Sequence, residues 1–163
     1  MVVFDASTLI LLARIELLQD VLEEVEAVVS ETAQLEATRK RTPDAKLIEQ
    51  LSREGSLTVE HVPARKEVKR LMSDFPIQAG EAASLVLAMA KKGVLATDDG
   101  PTIRVCKILR VEFVTALHFL IYLRERGLLS REVALAKLEK LTKYGRYHPD
   151  IIRDAADKIK GGE

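Results

Sequence analysis

Short apolar runs rich in β-branched residues alternate along the chain with longer stretches of helical periodicity. Five runs have the composition of buried strands: residues 1–4, 27–29, 57–62, 94–97 and 112–115. Strands separated by helices favour right-handed βαβ units, because a parallel strand is reached by a crossover over one face of the sheet. The pattern therefore predicts an α/β fold of three layers (α/β/α), with a central, mainly parallel sheet flanked by helices.

The segments between these runs carry helix signals. Residues 8–25 are predicted to form one helical stretch, Ser30 is a good N-cap, and Pro43 restarts a helix. Gly93 is expected to close the helix before the fourth strand, and Pro101 suits the first position of the helix after it.

The chain has 163 residues, which falls within the usual size of one domain. We expect a single domain over residues 1–160. Its α/β core is predicted at residues 1–130, and residues 130–160 are predicted to form a helical C-terminus.

Charge and composition narrow the classes of partner. The 25 Lys and Arg residues balance the 25 Asp and Glu residues, so attraction to nucleic acid has to come from local patches. No window of about 18 apolar residues occurs and the chain starts without a basic leader, so we expect no membrane partner and a cytoplasmic location. The single cysteine, Cys106, fits a reducing compartment.

Acidic residues follow the predicted strands. Asp5 ends the first strand, Asp98 and Asp99 follow the fourth, Glu81 opens the helix before that strand, and Glu36 lies on the helix after the second. The carboxyl ends of parallel strands share one edge, where ligands bind. Clustered carboxylates repel unless a cation is present. Because the candidates are all oxygen donors, Mg²⁺ or Mn²⁺ is favoured over zinc.

Each acid also has an ordinary structural interpretation. Asp5 could be the N-cap of the first helix, and Glu81 suits the positive end of a helix dipole anywhere. Glu36 precedes two basic residues at helical spacing and could form a surface ion pair. The paired aspartates resemble a solvated turn before a helix. The joint placement after successive strands is what favours a functional site.

Four ordered motifs carry a family resemblance. They are "VVFDAST" at residues 2–8, "VVSETAQLE" at 28–36, "GEAASLVLAMA" at 80–90, and "ATDDG" at 96–100 followed by a helix and "VEFVT". Together they resemble the motifs of PIN-domain ribonucleases, and most closely the VapC-like toxins of prokaryotic toxin–antitoxin systems. The similarity extends over residues 1–130, and the helical tail is also similar to that group.

The resemblance implies a Mg²⁺- or Mn²⁺-dependent endoribonuclease. Asp5, Glu36, Glu81 and one or both of Asp98 and Asp99 would surround the metal. The substrate would be single-stranded RNA, and a cognate antitoxin protein and a second copy of the chain are the implied partners. The sequence departs from the family pattern in the segment before the second acid, Glu36. The family usually has a proline there, and this chain has Ser30.

The chemistry assigns provisional roles. Phosphodiester hydrolysis needs an activated water and neutralisation of charge, which carboxylate-held divalent ions supply. Asp5 and Asp99 are predicted as direct ligands and Glu81 as a ligand or as a base on the water. Asp98 and Glu36 are predicted to belong to the same site.

Neighbouring polar residues are predicted to support the substrate and the acids. Ser7 and Thr97 are placed to hydrogen-bond the carboxylates or a metal-bound water. The side chains of Arg39, Lys40 and Arg104 are candidates for holding phosphates. The basic and aromatic run at residues 140–148 resembles single-stranded RNA surfaces, but a solvated helix end is the favoured interpretation of it.

Two other functions stay open. A haloacid-dehalogenase-like phosphohydrolase also places an Asp after its first strand, but it needs a second Asp two residues later, where this chain has Ser7. A PIN-like fold could also serve as a non-catalytic RNA-binding or interaction module. A neighbouring gene for a small antitoxin would favour the toxin role.

Overall fold

A five-stranded parallel sheet forms the centre of the protein. The computed structural model describes residues 1–161, and the strands are β1 (Val2–Phe4), β2 (Ala27–Ser30), β3 (Thr58–Glu60), β4 (Val94–Ala96) and β5 (Phe113–Val114). Their order is β3-β2-β1-β4-β5, and all four pairings are parallel. The predicted α/β sheet is therefore confirmed, and it is parallel throughout.

The order of the strands creates one switch point. The chain moves outward from β1 to β2 and β3, then crosses to the other side of β1 for β4 and β5. Phe4 on β1 pairs with Ala96 on β4. The residues that follow these two strands therefore leave the sheet side by side, where open parallel sheets bind ligands.

Helices cover both faces of the sheet. Within residues 1–161 they are α1 (Ala6–Arg14), α2 (Leu18–Glu24), α3 (Glu31–Thr38), α4 (Pro43–Arg53), α5 (Arg65–Asp74), α6 (Ala79–Lys91), α7 (Gly100–Leu109), α8 (Ala116–Glu125), α9 (Arg131–Tyr144) and α10 (Pro149–Gly161). None of these helices is long and apolar enough to cross a bilayer.

Alternate strand residues belong to two different hydrophobic clusters. Val3 and Leu95 pack with α5, α6 and α7 on one face, whereas Phe4 and Ala96 pack with α1 to α4 and the C-terminal helices on the other. This division follows from the two-residue period of a strand, which sends successive side chains to opposite faces. The result is the predicted three-layer arrangement.

The C-terminal helices share the core of the sheet. The ring of Phe119 on α8 stacks on that of Phe4 at a centroid distance of 5.5 Å. Leu141 on α9 and Ile159 on α10 are fully buried in the same cluster. These three helices hold the segment around residues 145–148 against the carboxyl ends of β1 and β4.

The predicted helix over residues 8–25 is two helices. Glu16 has a left-handed φ of 58°, and the turn around it lets Ile15 and Leu17 both become fully buried. Lys137 donates hydrogen bonds to the carbonyls of Ile15 and Glu16 at 3.0 and 2.9 Å. The apolar periodicity of the sequence did not reveal this break, because Ile15 and Leu17 suit buried positions in one continuous helix as well as in two separate helices.

The helix-end predictions were confirmed in part. Gly93 directly follows the C-cap of α6, as predicted, but Lys92, the C-cap itself, takes the left-handed conformation, with φ 53°. A Cβ on Gly93 would lie 3.2 Å from the carbonyl oxygen of Met1, so close approach to the first strand explains the glycine. Pro101 occupies the second position of α7, because Asp99 caps that helix and Gly100 begins it.

Candidate active site at the carboxyl edge of the sheet

Asp5 is a buried carboxylate at the end of β1. Its Oδ1 accepts hydrogen bonds from the Thr8 amide at 3.1 Å and the Ser7 hydroxyl at 2.7 Å, while Thr97 donates its hydroxyl to Oδ2. Burial raises the pKa of Asp5 to about 7 against the effect of these donors, and the charge of Asp98 adds to the increase. Asp5 is both the N-cap of α1 and a candidate proton carrier.

Asp98 ties four segments together. Its carboxylate accepts hydrogen bonds from the hydroxyls of Thr8, at 2.6 Å, and Tyr147, and from the Ala116 amide at 3.1 Å. Its own amide donates to Ser7 Oγ at 3.0 Å. Burial raises the pKa of Asp98, and the donors offset this only in part. Both carboxylate oxygens are occupied by protein donors.

Asp99 is held differently from its neighbour. Oδ2 accepts hydrogen bonds from the amide and hydroxyl of Thr102 at 3.1 and 2.6 Å, which caps α7. The Asp99 amide donates to Thr97 Oγ1 at 3.2 Å. No residue in the range 1–161 donates a hydrogen bond to Oδ1. Of the two adjacent aspartates, Asp99 therefore keeps an oxygen available for a ligand.

Glu36 and Glu81 form a second acidic pair. The Gly80 amide donates to Glu36, and a Cβ on Gly80 would lie 2.2 Å from Glu36 Oε2. Burial raises the pKa of Glu36 and the charge of Glu81 raises it further, while Arg39 lowers it. Glu81 Oε2 is buried and accepts no hydrogen bond from the described part of the chain.

The acids approach one another in two groups, one formed by Asp5, Asp98 and Asp99 and the other by Glu36 and Glu81. Among residues 1–161, no three His, Cys, Asp or Glu side chains lie close enough together to hold a single metal ion. The sequence led us to expect one compact pocket of carboxylates, and the side chains do not form it in this arrangement.

The donor set nonetheless fits a hard divalent cation. An unpartnered buried oxygen on Glu81 and the free Oδ1 of Asp99 are oxygen donors of the kind that Mg²⁺ and Mn²⁺ prefer. A cation there would also neutralise the repulsion that raises the pKa of Glu36.

A cleft of about 800 Å³ adjoins the aspartates. It lies between α7, α8 and α10, and Phe113 and Ile121 contribute apolar lining. Lys107 and Arg146 contribute positive charge, and neither forms an ion pair within residues 1–161. The cleft thus combines an acidic end with basic and apolar walls.

The predicted phosphate-binding residues lie at the two ends of this region. Arg104 is exposed on α7 beside the turn that carries Gly100. Arg39 and Lys40 are exposed where α3 ends, just beyond Glu36. The structure therefore places them near different acids, and none of them lines the main cleft.

Sequence reasoning missed Tyr147. Its run at residues 140–148 was interpreted as a solvated helix end, yet its hydroxyl donates to Asp98 and its side chain is partly buried against the core. Burial and the charge of Asp98 raise the pKa of Tyr147, which keeps the hydroxyl protonated as a donor. A Cβ on Gly145 would lie 2.8 Å from the tyrosine ring, so this glycine is the feature of the sequence that could have indicated a close contact here.

Acidic side chains thus lie at the switch point of a parallel sheet, beside a cleft with basic side chains, which is where open α/β domains bind their ligands. The family model DUF3368, described as a PIN domain, matches residues 1–160, and the chain therefore belongs to the PIN-domain family. No curated protein and no solved structure matches it. PIN domains are generally nucleases that bind or cleave RNA and typically use divalent metals.

Replacing Gly80 with Ala tests the Glu36 contact. Ala in a helix normally stabilises by about 0.5–1 kcal/mol relative to Gly, but here the Cβ displaces the Glu36 carboxylate. We expect the gain in the free energy of unfolding to appear in the Glu36→Ala background and to be lost in the wild type. Urea denaturation of the four proteins measures this coupling.

Gly161→Ala is the control for that cycle, because nothing lies within 4 Å of a Cβ at this position. Its effect should be independent of residue 36. Equal effects of Gly80→Ala in both backgrounds would contradict the contact.

The raised pKa of Asp5 predicts a fall in stability with increasing pH. The native carboxyl keeps its proton up to about pH 7, whereas the unfolded chain loses it near the ordinary aspartate pKa of 3.8. The free energy of unfolding should therefore decrease between these values, by about 4 kcal/mol for the full shift, and level off above pH 7.

Asp5→Asn should abolish most of this decrease, and the exposed Asp157→Asn should preserve it. The measurement is urea unfolding in EDTA at pH 5 and pH 8. A wild-type protein that is more stable at pH 8 would show that Asp5 is ionised in the native state throughout.

Tyr147→Phe should remove a hydrogen bond to a buried carboxylate and lower the free energy of unfolding by about 1–3 kcal/mol. Tyr144→Phe, at an exposed tyrosine on the same segment, should change it by less than about 0.5 kcal/mol. In an Asp98→Asn background the effect of Tyr147→Phe should shrink. Equal effects of the two tyrosine substitutions would exclude the contact with Asp98.

Proposed function

We propose that the protein is a metal-dependent endoribonuclease that hydrolyses phosphodiester bonds in single-stranded RNA. The observation that carries this proposal is the acidic pair Glu36 and Glu81, with one buried oxygen that accepts no hydrogen bond. It lies at the same edge of the sheet as Asp5 and Asp99, because α6 runs back from that edge to β4. The PIN-domain family supports the nuclease class.

Asp5, Glu81 and Asp99 would hold the metal, with Asp98 and Glu36 close by. A bound Mg²⁺ or Mn²⁺ would supply an activated water and neutralise charge on the phosphate and leaving oxygen. Hydrogen bonds from the protein hold the other carboxylate oxygens of these residues and so fix the direction in which the free oxygens point.

The hydroxyl groups around the acids give each a fixed orientation. Ser7 and Thr97 hold Asp5, and Thr102 holds Asp99 through one oxygen and leaves the other free. Asp98 receives two donors on each oxygen, whereas Asp5 Oδ2 receives only the Thr97 hydroxyl. A carboxylate oxygen can accept two hydrogen bonds, so Asp5 can still bind a cation through Oδ2, and Asp98 acts as a positioning residue between β4 and α8. With a pKa near 7 in the absence of a cation, Asp5 would release its proton on binding the metal, so metal affinity should rise with pH through this range.

The cleft beside Asp99 has the chemistry for a nucleic acid strand. Lys107 and Arg146 can contact phosphates, while Phe113 offers a face for an unstacked base. Arg104 extends the positive charge along α7. A strand in this cleft would present its backbone to the aspartates at one end.

The test is a gel of end-labelled single-stranded RNA with the purified protein. We expect internal cleavage with Mn²⁺ or Mg²⁺, none in EDTA, and restoration on adding metal back. Glu81→Gln should reduce the rate by about 10²-fold or more. Asp99→Asn should reduce it more than Asp98→Asn does among variants of comparable folded fraction, and Asp157→Asn should leave it unchanged.

A chromogenic aryl phosphate monoester assay runs beside the gel. Turnover of the monoester with a trapped aspartyl-phosphate on Asp5, and intact RNA, would establish a dehalogenase-like phosphohydrolase instead. Folded protein that binds RNA but is inactive in both assays would support a non-catalytic module.

The narrower form of the proposal is the toxin of a toxin–antitoxin pair. It rests on the likeness of the ordered motifs and the helical tail to VapC-like toxins. An antitoxin partner and a homodimer belong to the same prediction, as does a cytoplasmic location.

A further inference from the structure

Helix α5 is a polar helix with an excess of positive charge. Four of its ten residues are basic, two are acidic, and Leu71 is the one buried side chain among them. In a chain with no net charge, such a helix is a local patch of the kind that attracts phosphate. The four exposed basic residues are Arg65, Lys66, Lys69 and Arg70.

These four side chains form no ion pair and no side-chain hydrogen bond within residues 1–161. Exposed cations on other helices do form such pairs, as Arg53 does with Glu49 at 2.7 Å and Lys158 with Asp154 at 3.2 Å. With four basic and two acidic residues, α5 keeps an excess of positive charge that no ion pair within residues 1–161 holds in place.

A groove of about 420 Å³ runs between α5, α3 and α6. Arg65 and Lys69 line one wall, whereas Lys66 and Arg70 do not line it. The facing walls contribute Thr32 from α3 and the small residues Ala79 and Ala83 from α6. The lining also includes one acid, Glu31, whose Oε2 lies 3.2 Å from Nδ1 of His61, and this contact is an ion pair when the imidazole is protonated.

The groove opens beside the Glu36–Glu81 pair. Thr32 in its lining is four residues before Glu36 on α3, so the two share one face of that helix. Ala79 and Ala83 line it from α6, and Gly80 between them contacts Glu36. An anionic strand bound in the groove would therefore lead to the acids.

We propose that this groove binds the phosphate backbone of single-stranded RNA through Arg65 and Lys69, and so extends the substrate site to the side of the Glu36–Glu81 pair opposite Asp99. The inference rests on the proposed function for the identity of the strand. A walled groove with small side chains admits an extended strand, whereas an A-form duplex presents its phosphates on a convex surface.

The experiment measures binding of a fluorescent single-stranded RNA by anisotropy in EDTA over a range of salt concentrations. Arg65→Gln/Lys69→Gln should weaken binding by about tenfold and reduce the slope of log affinity against log salt by about 1.4, or 0.7 for each phosphate contact. Lys66→Gln/Arg70→Gln is the matched control, with the same loss of charge on the same helix outside the groove. It should weaken binding by less than about threefold.

The outcomes separate this inference from the proposed function. Normal RNA binding by the groove variant, or equal losses for the two double variants, would overturn the groove assignment even if RNA is cleaved. Groove-dependent binding by a wild type that never cleaves RNA would preserve the groove and overturn the nuclease. A groove variant that changes oligomeric state on size-exclusion chromatography, with unchanged RNA affinity, would show that the face binds another copy of the chain instead.

Discussion

The tie between the ends of β1 and β4 is the interaction on which the candidate site depends. The Asp5 amide donates to the carbonyl of Ala96 at 3.0 Å, and Thr97 donates its hydroxyl to the Asp5 carboxylate. These bonds continue the parallel ladder past the last residues of the strands. They fix a carboxylate in a buried position, which costs native stability and is offset by the surrounding donors.

That tie explains why small hydroxyl residues surround the acids. The hydroxyls of Ser7 and Thr97 each donate to Asp5 and accept from the amide of a residue that follows β4. Thr8 bridges the same two segments differently, because its amide donates to Asp5 and its hydroxyl to Asp98. A larger side chain would separate β1 from β4, and an apolar one would leave a buried oxygen unsatisfied. The motifs "DAST" and "ATDD" therefore encode the geometry of the switch point as well as its acidity.

Much of the fold was predictable because strand and helix periods differ. Every predicted strand was found, since each is a short β-branched run between turn signals. The break at Glu16 and the left-handed conformation of Lys92 were not predictable, because each depends on a tertiary contact. Lys137 donates to a carbonyl of the turn at Glu16, and the carbonyl of Met1 lies close to Gly93, next to Lys92. Local patterns carry no record of such distant partners.

At the candidate site, the placement of the acids was predictable from the sequence, and their hydrogen-bond partners were less so. The positions of Asp5, Glu81 and the adjacent aspartates after or before strands led to the carboxyl edge from pattern alone. The number of hydrogen-bond donors around each aspartate decides which one keeps a free oxygen. One of the donors to Asp98 is Tyr147, which is 49 residues away in sequence. Residues 140–148 do contain an exposed helix end, as predicted, because α9 ends at Tyr144, but the contact of Tyr147 with Asp98 could not be predicted for the same reason.

The two acidic groups are held by different parts of the chain. Asp98 is held by hydrogen bonds from α8 and from the segment before α10. Glu36 fits against α6 because Gly80 has no side chain there. Nothing in the described residues connects the groups directly, and like charges favour their separation. A divalent cation bound to both groups would supply the attraction that the protein lacks. Part of its binding free energy would then offset the cost of bringing the two acidic groups together. Metal affinity and the arrangement of the two groups are then one equilibrium, and substitutions far from the cation, at Tyr147 or Gly80, would shift it through the acids they position.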